Sequence, residues 1–312
     1  MAGEEEYFPL INGFHYKYYT SDVGGARNDF LFFRFDTVIE KRFLIGEHAV
    51  NYFKRLINLN REQLLEEVRK SLPSRYDELK MWPREWIISK LVYEYSKHTP
   101  KDRIFLLYGG HFPIDSYNSF PLVTYFYKNH DFIYYLTPEK ITGDWDIDQQ
   151  ILRKCKDKTI FLPLNLSKVK SWIISTERGN LILGYVYGED PVKIWNGKTL
   201  KEFKCIQVRT RAIRRKGFKF MPPEVKTWLA PGIGIILEVF GMEGECRFSQ
   251  LIQYFRPDTE ERWRYGLKRK DLEGYHFRKN LDEVEKAWEE KGFKVFYLQE
   301  WPEEDKQNKS KK

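Results

Sequence analysis

Residues 205–221 read CIQVRTRAIRRKGFKFM and carry six basic side chains without one acid. Ile206, Val208 and Ala212 alternate with Gln207 and arginines, which is the period of a strand buried on one face. A glycine at position 217 can supply a turn, and a second alternating run begins after it. The stretch therefore predicts a β-hairpin with a basic tip and with arginines on its open face.

Dense positive charge on this hairpin favours an anionic partner. Like charges on one ribbon repel each other unless an anion lies nearby, and nucleic-acid phosphate is a common one. The alternative is a solvated strand whose arginines pair with scattered carboxylates. A second basic segment, 259–269, is predicted to be an arginine-rich helix. The predicted DNA- or RNA-binding residues are Arg209, Arg211, Arg214, Arg215, Lys216, Lys219, Arg262 and Arg264.

The composition is consistent with a basic, core-forming protein. Its 312 residues can form one large domain or two smaller ones, and the net charge of +8 favours polyanionic partners. Three separated cysteines argue against a disulfide framework and predict a cytoplasmic location. No apolar run approaches ~18 residues and the start lacks a signal-peptide pattern, so no membrane association is expected. Many Lys and Glu with few Cys and Met are typical of a thermophile.

Helices are predicted near the N-terminus and strands after it. One helix covers about 47–57, a second follows the capping box of Asn60 and Gln63, and a third begins at Pro83. From residue 101, short apolar runs between turn residues indicate strands. Further helices are predicted at 222–229, 248–255, 259–269 and 280–291.

These elements predict an α/β (α+β) fold. We expect a mixed, largely antiparallel sheet flanked by helices, after a partly helical N-terminal segment. The predicted organisation is a strand lead-in and helical segment at 1–100, a sheet-rich core with the basic hairpin at 101–300, and a disordered charged tail at 301–312.

A cluster of acids at 143–149, GDWDIDQ, is a candidate metal site. In an extended segment Asp144, Asp146 and Asp148 would share one face, and divalent cations would relieve their repulsion. Two-metal phosphoryl transfer uses such carboxylates. The alternative is a helix start, with one aspartate as the N-cap. Glu238 is the lone acid of an apolar strand and faces water, a metal or a base.

The turn at 175–180, STERGN, lies between two predicted strands. Ser175, Thr176, Arg178 and the backbone at Gly179 can bind a phosphate or nucleotide. An ordinary hairpin turn has the same composition. Both interpretations remain open from the residues alone.

In chain order these motifs resemble the catalytic subunit of archaeo-eukaryotic primases and primase-polymerases. DWDID at 144–148 is similar to the paired-aspartate motif of that family. The segment with Ser175 and Gly179 is similar to its nucleotide-binding turn, with Leu181 where the family has histidine. Glu238 stands for the third acid. The resemblance implies that Asp146, Asp148 and Glu238 hold Mg²⁺ or Mn²⁺ for nucleotidyl transfer.

The leading hypothesis is a nucleic-acid-binding protein of DNA replication or processing, with a metal-dependent nucleotidyltransferase as its catalytic version. The alternatives are a non-catalytic DNA- or RNA-binding protein, a metal-dependent nuclease, and a structural or assembly protein of a mobile element or virus. The motifs leave open whether the protein is an enzyme.

Overall fold

The structure is a computed structural model, and it describes the strands and helices of the chain in separate stretches. They are residues 6–24, 36–113, 121–136, 152, 158–177, 180–195, 200–213, 224–242 and 245–264. The strands in them are β1 (Phe14–Gly24), β2 (Asp36–Gly46), β3 (Ile104–Pro113), β4 (Pro121–Lys128), β5 (Phe132–Leu136), β6 (Lys158–Pro163), β7 (Ser171–Glu177), β8 (Asn180–Glu189), β9 (Val192–Trp195), β10 (Leu200–Phe203), β11 (Ile206–Ile213), β12 (Glu224–Ala230), β13 (Gly234–Met242), β14 (Glu245–Arg256) and β15 (Glu261–Arg264). The helices are α1 (Val50–Asn58), α2 (Arg61–Ser71), α3 (Tyr76–Leu79) and α4 (Arg84–Ser96).

One antiparallel sheet contains all of these strands except β9 and β10, which form a hairpin of their own. Its order is β6-β5-β4-β3-β2-β1-β14-β13-β12-β11-β8-β7, and β15 pairs with β14. The first and last strands of this order, β6 and β7, approach each other, so the sheet is nearly closed. Because side chains alternate along each strand, the sheet has an inner and an outer face.

Antiparallel pairing places the strand connections at two opposite ends of the sheet. Strands β1, β3, β5, β7, β11 and β13 all finish at the same end, where their neighbours β2, β4, β6, β8, β12 and β14 begin. We call this the hairpin end. The opposite end, where β1 begins, contains the connections between β4 and β5, between β6 and β7, and between β12 and β13.

The N-terminal residues close the sheet opposite the hairpin end. Phe8 is buried, and its ring centre lies 5.2 Å from that of Phe126 and 5.1 Å from that of Phe161. The Lys128 ammonium donates a hydrogen bond to the Glu6 carboxylate at 2.8 Å. Residues 6–8 therefore fix an aromatic floor in the interior, and we call this the closed end.

The helices cover the outer face of the sheet around β2, β3 and β14. Phe43 of β2 and Phe255 of β14 pack into the same apolar layer as Ile87 and Leu91 of α4. The Trp86 ring stacks on Phe255 with centres 5.4 Å apart. No helix in the described stretches is long and apolar enough to cross a membrane.

Helix α2 begins with the capping box that the sequence predicts. The Gln63 backbone N donates to Asn60 Oδ1 at 2.9 Å, and the Asn60 backbone N donates to Gln63 Oε1 at 3.0 Å. Asn60→Ala is expected to lower the free energy of unfolding by about 1 kcal/mol, because one helix N–H loses its acceptor. Urea unfolding followed by circular dichroism measures this loss. Asn60→Asp keeps an acceptor and should keep the stability.

The predicted α/β fold class is wrong. Within the described stretches every strand pair is antiparallel, and the four short helices all lie between β2 and β3 in the chain. The segments 222–229, 248–255 and 259–269, predicted as helices, overlap the strands β12, β14 and β15. Leu251 and Tyr254 of β14 lie in the core inside the sheet while Phe255 lies beneath the helices. Because β14 is buried on both faces, its apolar residues do not alternate with polar ones, and their spacing also fits a helix.

Candidate ligand site inside the sheet

Two opposite charges interrupt the apolar inner face of the sheet. Arg42 lies two residues before Leu44, which is buried inside the sheet, so both side chains are on the inner face. Phe43, between them, lies on the outer face beneath the helices. Glu238 of β13 pairs with Thr227 of β12, whose hydroxyl donates to Glu238 Oε2 at 3.4 Å. Both charged residues are half-buried. A charge in such a place needs an explanation, because its desolvation costs free energy.

Two tyrosines of the inner face lie beside these charges. The Tyr18 hydroxyl donates to the carbonyl of Ile235 at 3.0 Å, and the Arg42 guanidinium lies 5.1 Å from the Tyr18 ring centre. The Tyr135 ring centre is 5.0 Å from that of Phe126 and 4.5 Å from that of Phe161. Tyr135 therefore packs against the two rings that Phe8 also contacts.

The charges of Arg42 and Glu238 affect the pKa of the same two buried tyrosines. Burial raises the pKa of Tyr18 and of Tyr135 above the usual range of a phenol. For each of them the Arg42 guanidinium lowers the pKa and the Glu238 carboxylate raises it. Arg42 lies beside Tyr18, and Tyr18 bonds to β13, the strand that carries Glu238. We call Tyr18, Arg42, Tyr135, Thr227 and Glu238 the interior polar cluster.

Two further residues of the interior core carry donors without a protein partner in the described stretches. The Tyr16 hydroxyl and Trp172 Nε1 are buried and bond to no described group. An unpaired buried donor costs about 1–3 kcal/mol. The Trp172 indole lies directly against Gly184, where any added Cβ would meet the ring. The glycine therefore makes room for the indole. A Cβ at Gly234 would lie 3.5 Å from the Tyr16 hydroxyl and 3.4 Å from the Phe8 ring, so this hydroxyl lies at the closed end.

The backbone register adds two titratable positions next to the cluster. Glu40 of β2 pairs with Tyr18 on one side and with His111 of β3 on the other. Ser249 of β14 pairs with Glu238. The polar positions thus lie on adjacent strands, on the hairpin-end side of the aromatic floor at Phe8.

Most predicted catalytic and phosphate-binding residues, and four of the predicted nucleic-acid-binding residues, lie outside the described residues. These are Asp144, Asp146, Asp148, Arg178, Gly179, Arg214, Arg215, Lys216 and Lys219. Ser175 and Thr176 belong to the backbone of β7. The described strands that flank these segments, β5 and β6, β7 and β8, and β11 and β12, all meet at the hairpin end. Of the predicted catalytic residues, only Glu238 lies among the described ones, and it belongs to the interior polar cluster.

The described arginines of the predicted nucleic-acid surface lie in two separate places. Arg209 is on the face of β11 opposite the buried Val208, and its guanidinium lies 3.5 Å from the Tyr187 ring centre. Arg211 is exposed two residues further on. The Arg262 guanidinium instead lies 5.2 Å from the Trp82 ring centre at the helical layer, and Arg264 ends β15.

Three side chains of types that bind metals lie close together elsewhere in the structure, and hydrogen bonds within the protein explain their position. Ligand atoms of Glu47, His48 and Asp102 lie within 4.8 Å of one another. Asp102 Oδ1 accepts a hydrogen bond from the His48 backbone N at 2.8 Å, and its Oδ2 accepts one from Asn12 Nδ2 at 2.8 Å. Asp102 thus joins the start of α1 to the N-terminal segment, and these bonds account for the cluster.

Comparison with known proteins gives no family for the chain. No family model and no curated protein matches it. One similar solved structure, from Bacteroides fragilis NCTC 9343, is described as an exported protein with a YmcC-like fold. It is 10% identical, with 81% of this chain and 100% of that chain covered and a TM-score of 0.35. Another, from Parabacteroides distasonis ATCC 8503, is described as a lipoprotein and is 9% identical, with 79% and 97% covered and a TM-score of 0.33.

The predicted resemblance to archaeo-eukaryotic primases is wrong. The nearly closed antiparallel sheet differs from the helix-flanked mixed sheet that was expected. The predicted function in DNA replication or processing depended on that resemblance and is wrong with it. The predicted cytoplasmic location is also wrong. The predicted Mg²⁺ or Mn²⁺ ions and nucleotides remain untested predictions.

Proposed function

We propose that the protein binds an amphipathic small molecule inside the nearly closed sheet. The observation that carries the proposal is that two half-buried charged residues, Arg42 and Glu238, lie on a largely aromatic and aliphatic inner face. Small-molecule sites are concave and mostly apolar, and a few polar groups orient the ligand. Apolar side chains of similar volume often stabilise a fold as well as buried charged side chains do. A role in recognition therefore accounts for these charges better than a role in folding.

The interior has the polarity that an amphipathic ligand requires. Phe8, Phe126 and Phe161 lie at the closed end and suit an apolar tail. The interior polar cluster lies nearer the hairpin end and suits a polar head. The ligand would enter through the hairpin end with its tail first, because residues 6–8 cover the opposite end.

Binding of the fluorophore N-phenyl-1-naphthylamine tests this proposal. We expect saturable binding with one site and enhanced emission, since the dye transfers from water to an apolar interior. Thr227→Trp places a large ring beside Glu238 and should weaken binding by about tenfold or more, the equivalent of about 1.4 kcal/mol. Fluorescence titration measures both affinities.

Thr259→Trp is the matched control, because Thr259 is exposed in the turn after β14. It should bind the dye as the parent protein does. Circular dichroism establishes that each variant is folded, and Thr227→Leu replaces Thr227→Trp if the larger ring prevents folding. Absence of dye binding to the parent, or equal binding to the parent and all folded Thr227 variants, would overturn the proposal.

A further inference from the structure

We infer that the outer face of β7, β8 and β11 is a docking surface for a membrane that contains anionic lipids. This inference goes beyond the proposed ligand site and does not depend on it. It follows from exposed apolar side chains and basic side chains that lie together on strands that the helices do not cover. Docking of this kind takes place from one side of the bilayer and needs no spanning segment.

Three strongly exposed apolar side chains lie on this face. Ile173, Tyr187 and Ile213 are 54%, 61% and 48% exposed, and the described stretches contain only two other exposed large hydrophobic side chains, both in the helical region. Ile173 follows the buried Trp172, so its side chain points out of the sheet. Exposed apolar side chains are normally scattered singly, and a group of them on adjacent strands indicates an interaction surface.

The strand register joins these side chains with arginines into one surface. Ile173 pairs with Leu183 of β8, and Leu183 pairs with Arg211 of β11. Paired residues of neighbouring strands face the same way, so Ile173 and Arg211 share the outer face. Ile213 lies two residues after Arg211 and therefore also points outward. Arg211 is exposed, so its charge is in contact with the solvent beside the two isoleucines.

Arg209 extends this surface to the exposed tyrosine. Its guanidinium lies 3.5 Å from the Tyr187 ring centre, and its Nε donates a hydrogen bond to Gln207 Oε1 at 2.6 Å. These contacts hold a positive charge against an amphipathic ring, a type of side chain that is common at the boundary between lipid headgroups and acyl chains. We call Ile173, Tyr187, Arg209, Arg211 and Ile213 the basic outer face.

Positive charge dominates the chain around the basic outer face. Residues 206–226, which include β11 and the first residues of β12, carry seven basic residues and one acid, Glu224. Residues 171–187, which include β7 and most of β8, carry one acid and one base, and Glu189 ends β8. The acids are therefore too few to balance the bases. Basic residues next to a bilayer are attracted by anionic headgroups, and each one strengthens the binding.

A bilayer accounts for both properties of the basic outer face. The phosphates of DNA or RNA would attract the arginines, but contacts to a phosphate backbone leave exposed aliphatic side chains in water. A second copy docked on the same face would bring arginine against arginine. An anionic bilayer offers phosphate groups to the arginines, and the apolar layer just beneath them accepts Ile173 and Ile213. It is the partner that fits the whole surface.

Co-sedimentation with lipid vesicles tests the inference. One set of vesicles contains phosphatidylcholine alone, and the other contains phosphatidylcholine with phosphatidylglycerol. We expect the parent protein to bind the anionic vesicles at least about tenfold more tightly, since several basic residues reach their surface. A double-stranded DNA fragment is titrated in parallel. Equal binding to both sets of vesicles, binding to neither set, or binding to DNA without binding to anionic vesicles overturns the inference.

Variants locate the binding on the basic outer face. Ile173→Thr combined with Ile213→Thr keeps β-branched residues on the strands and should weaken binding to anionic vesicles by about tenfold, while leaving any binding to DNA unchanged. Arg211→Gln should weaken vesicle binding by about fivefold. Circular dichroism establishes that each variant is folded, and the single isoleucine variants replace the double variant if it does not fold.

The matched controls lie on the helical layer. Met81→Thr removes an apolar side chain that is 78% exposed, and Arg69→Gln removes an exposed positive charge of α2. Both should bind anionic vesicles as the parent protein does. Binding equal to that of the parent by the folded isoleucine variants or by Arg211→Gln overturns the inference. The dye measurements on the ligand site are separate, so failure here leaves the proposed function standing.

Discussion

Glu260→Gln is expected to lower the free energy of unfolding by about 3 kcal/mol, the lower end of the cost of breaking a buried ion pair. Glu260 lies in the turn between β14 and β15, where its carboxylate binds Lys90 Nζ of α4 at 2.6 Å and Arg75 Nη2 at 3.0 Å. The Lys90 side chain is only 7% exposed, so water cannot replace the lost carboxylate. Glu94, 3.1 Å from Lys90, remains and limits the loss. The measurement is urea unfolding followed by tryptophan fluorescence.

The backbone at Glu260 provides a second variant. Its φ of 61° lies in the left-handed region, which costs a residue with a Cβ about 1–2 kcal/mol. Glu260→Gly removes this cost together with the carboxylate, so it should destabilise less than Glu260→Gln but still unfold before the parent. Asp77→Asn, at an exposed pair with Lys80, is the control and should leave the midpoint unchanged. Parent-like stability of both Glu260 variants would refute the role of the ion pair.

His15→Phe is expected to remove most of the acid sensitivity of folding between pH 6.5 and pH 5. His15 is fully buried between β1 and the helical layer, its ring centre lies 4.6 Å from that of Phe43, and neither ring nitrogen has a partner in the described stretches. Burial lowers the pKa of His15 to about 3. Glu85 raises this pKa and Lys41 and Lys17 lower it. The folded protein therefore holds a neutral imidazole.

The sign of the effect follows from proton binding. Between pH 6.5 and about 3 the unfolded chain binds one more proton at His15 than the folded protein, so stability falls as the pH falls. The slope approaches about 1.4 kcal/mol per pH unit below the pKa of the unfolded chain. Burial raises the pKa of Glu85, but Lys41, which donates to Glu85 at 2.9 Å, lowers it, and the net pKa is about 2. Protonation of Glu85 therefore reduces the stability of the fold only at a lower pH than the range in which His15 acts.

Urea unfolding at several pH values from 5 to 6.5 measures this slope. His15→Phe should flatten it, and His98→Gln, at an exposed position near the end of α4, should not. An equal slope in the parent and in His15→Phe would show that another group is responsible.

The sequence predicted local elements well where the signals are local. Asn60 and Gln63 gave the start of α2, and Pro83 directly precedes α4. Alternation around Val208 predicted β11, and the short apolar runs that begin after residue 101 predicted strands where β3 and β5 lie. These signals depend on neighbours within a few residues, such as a cap or a strand period.

The sheet order and the site depend on distant pairing, which local patterns do not contain. Glu238 was recognisable as a lone acid in an apolar strand, but its neighbours Tyr18 and Arg42 lie about 200 positions earlier in the chain. Arg42 belongs to a charged run, EKR, in which nothing marks one base as inward-facing. Only the pairing of β1 with both β2 and β14 decides which of these side chains enters the interior.

That same pairing has a consequence for how the chain is made. Strand β1 needs β14, and these partners are separated by more than 200 residues of sequence. On the ribosome β1 can pair early with β2, and β2 with β3 and β4. The second edge of β1 stays unpaired until residue 256, the end of β14, has left the exit tunnel. An uncovered strand edge of this kind attracts other chains. The sheet is therefore completed late in folding, by contacts between residues that are far apart in the chain. A chain that terminates before β14 should aggregate.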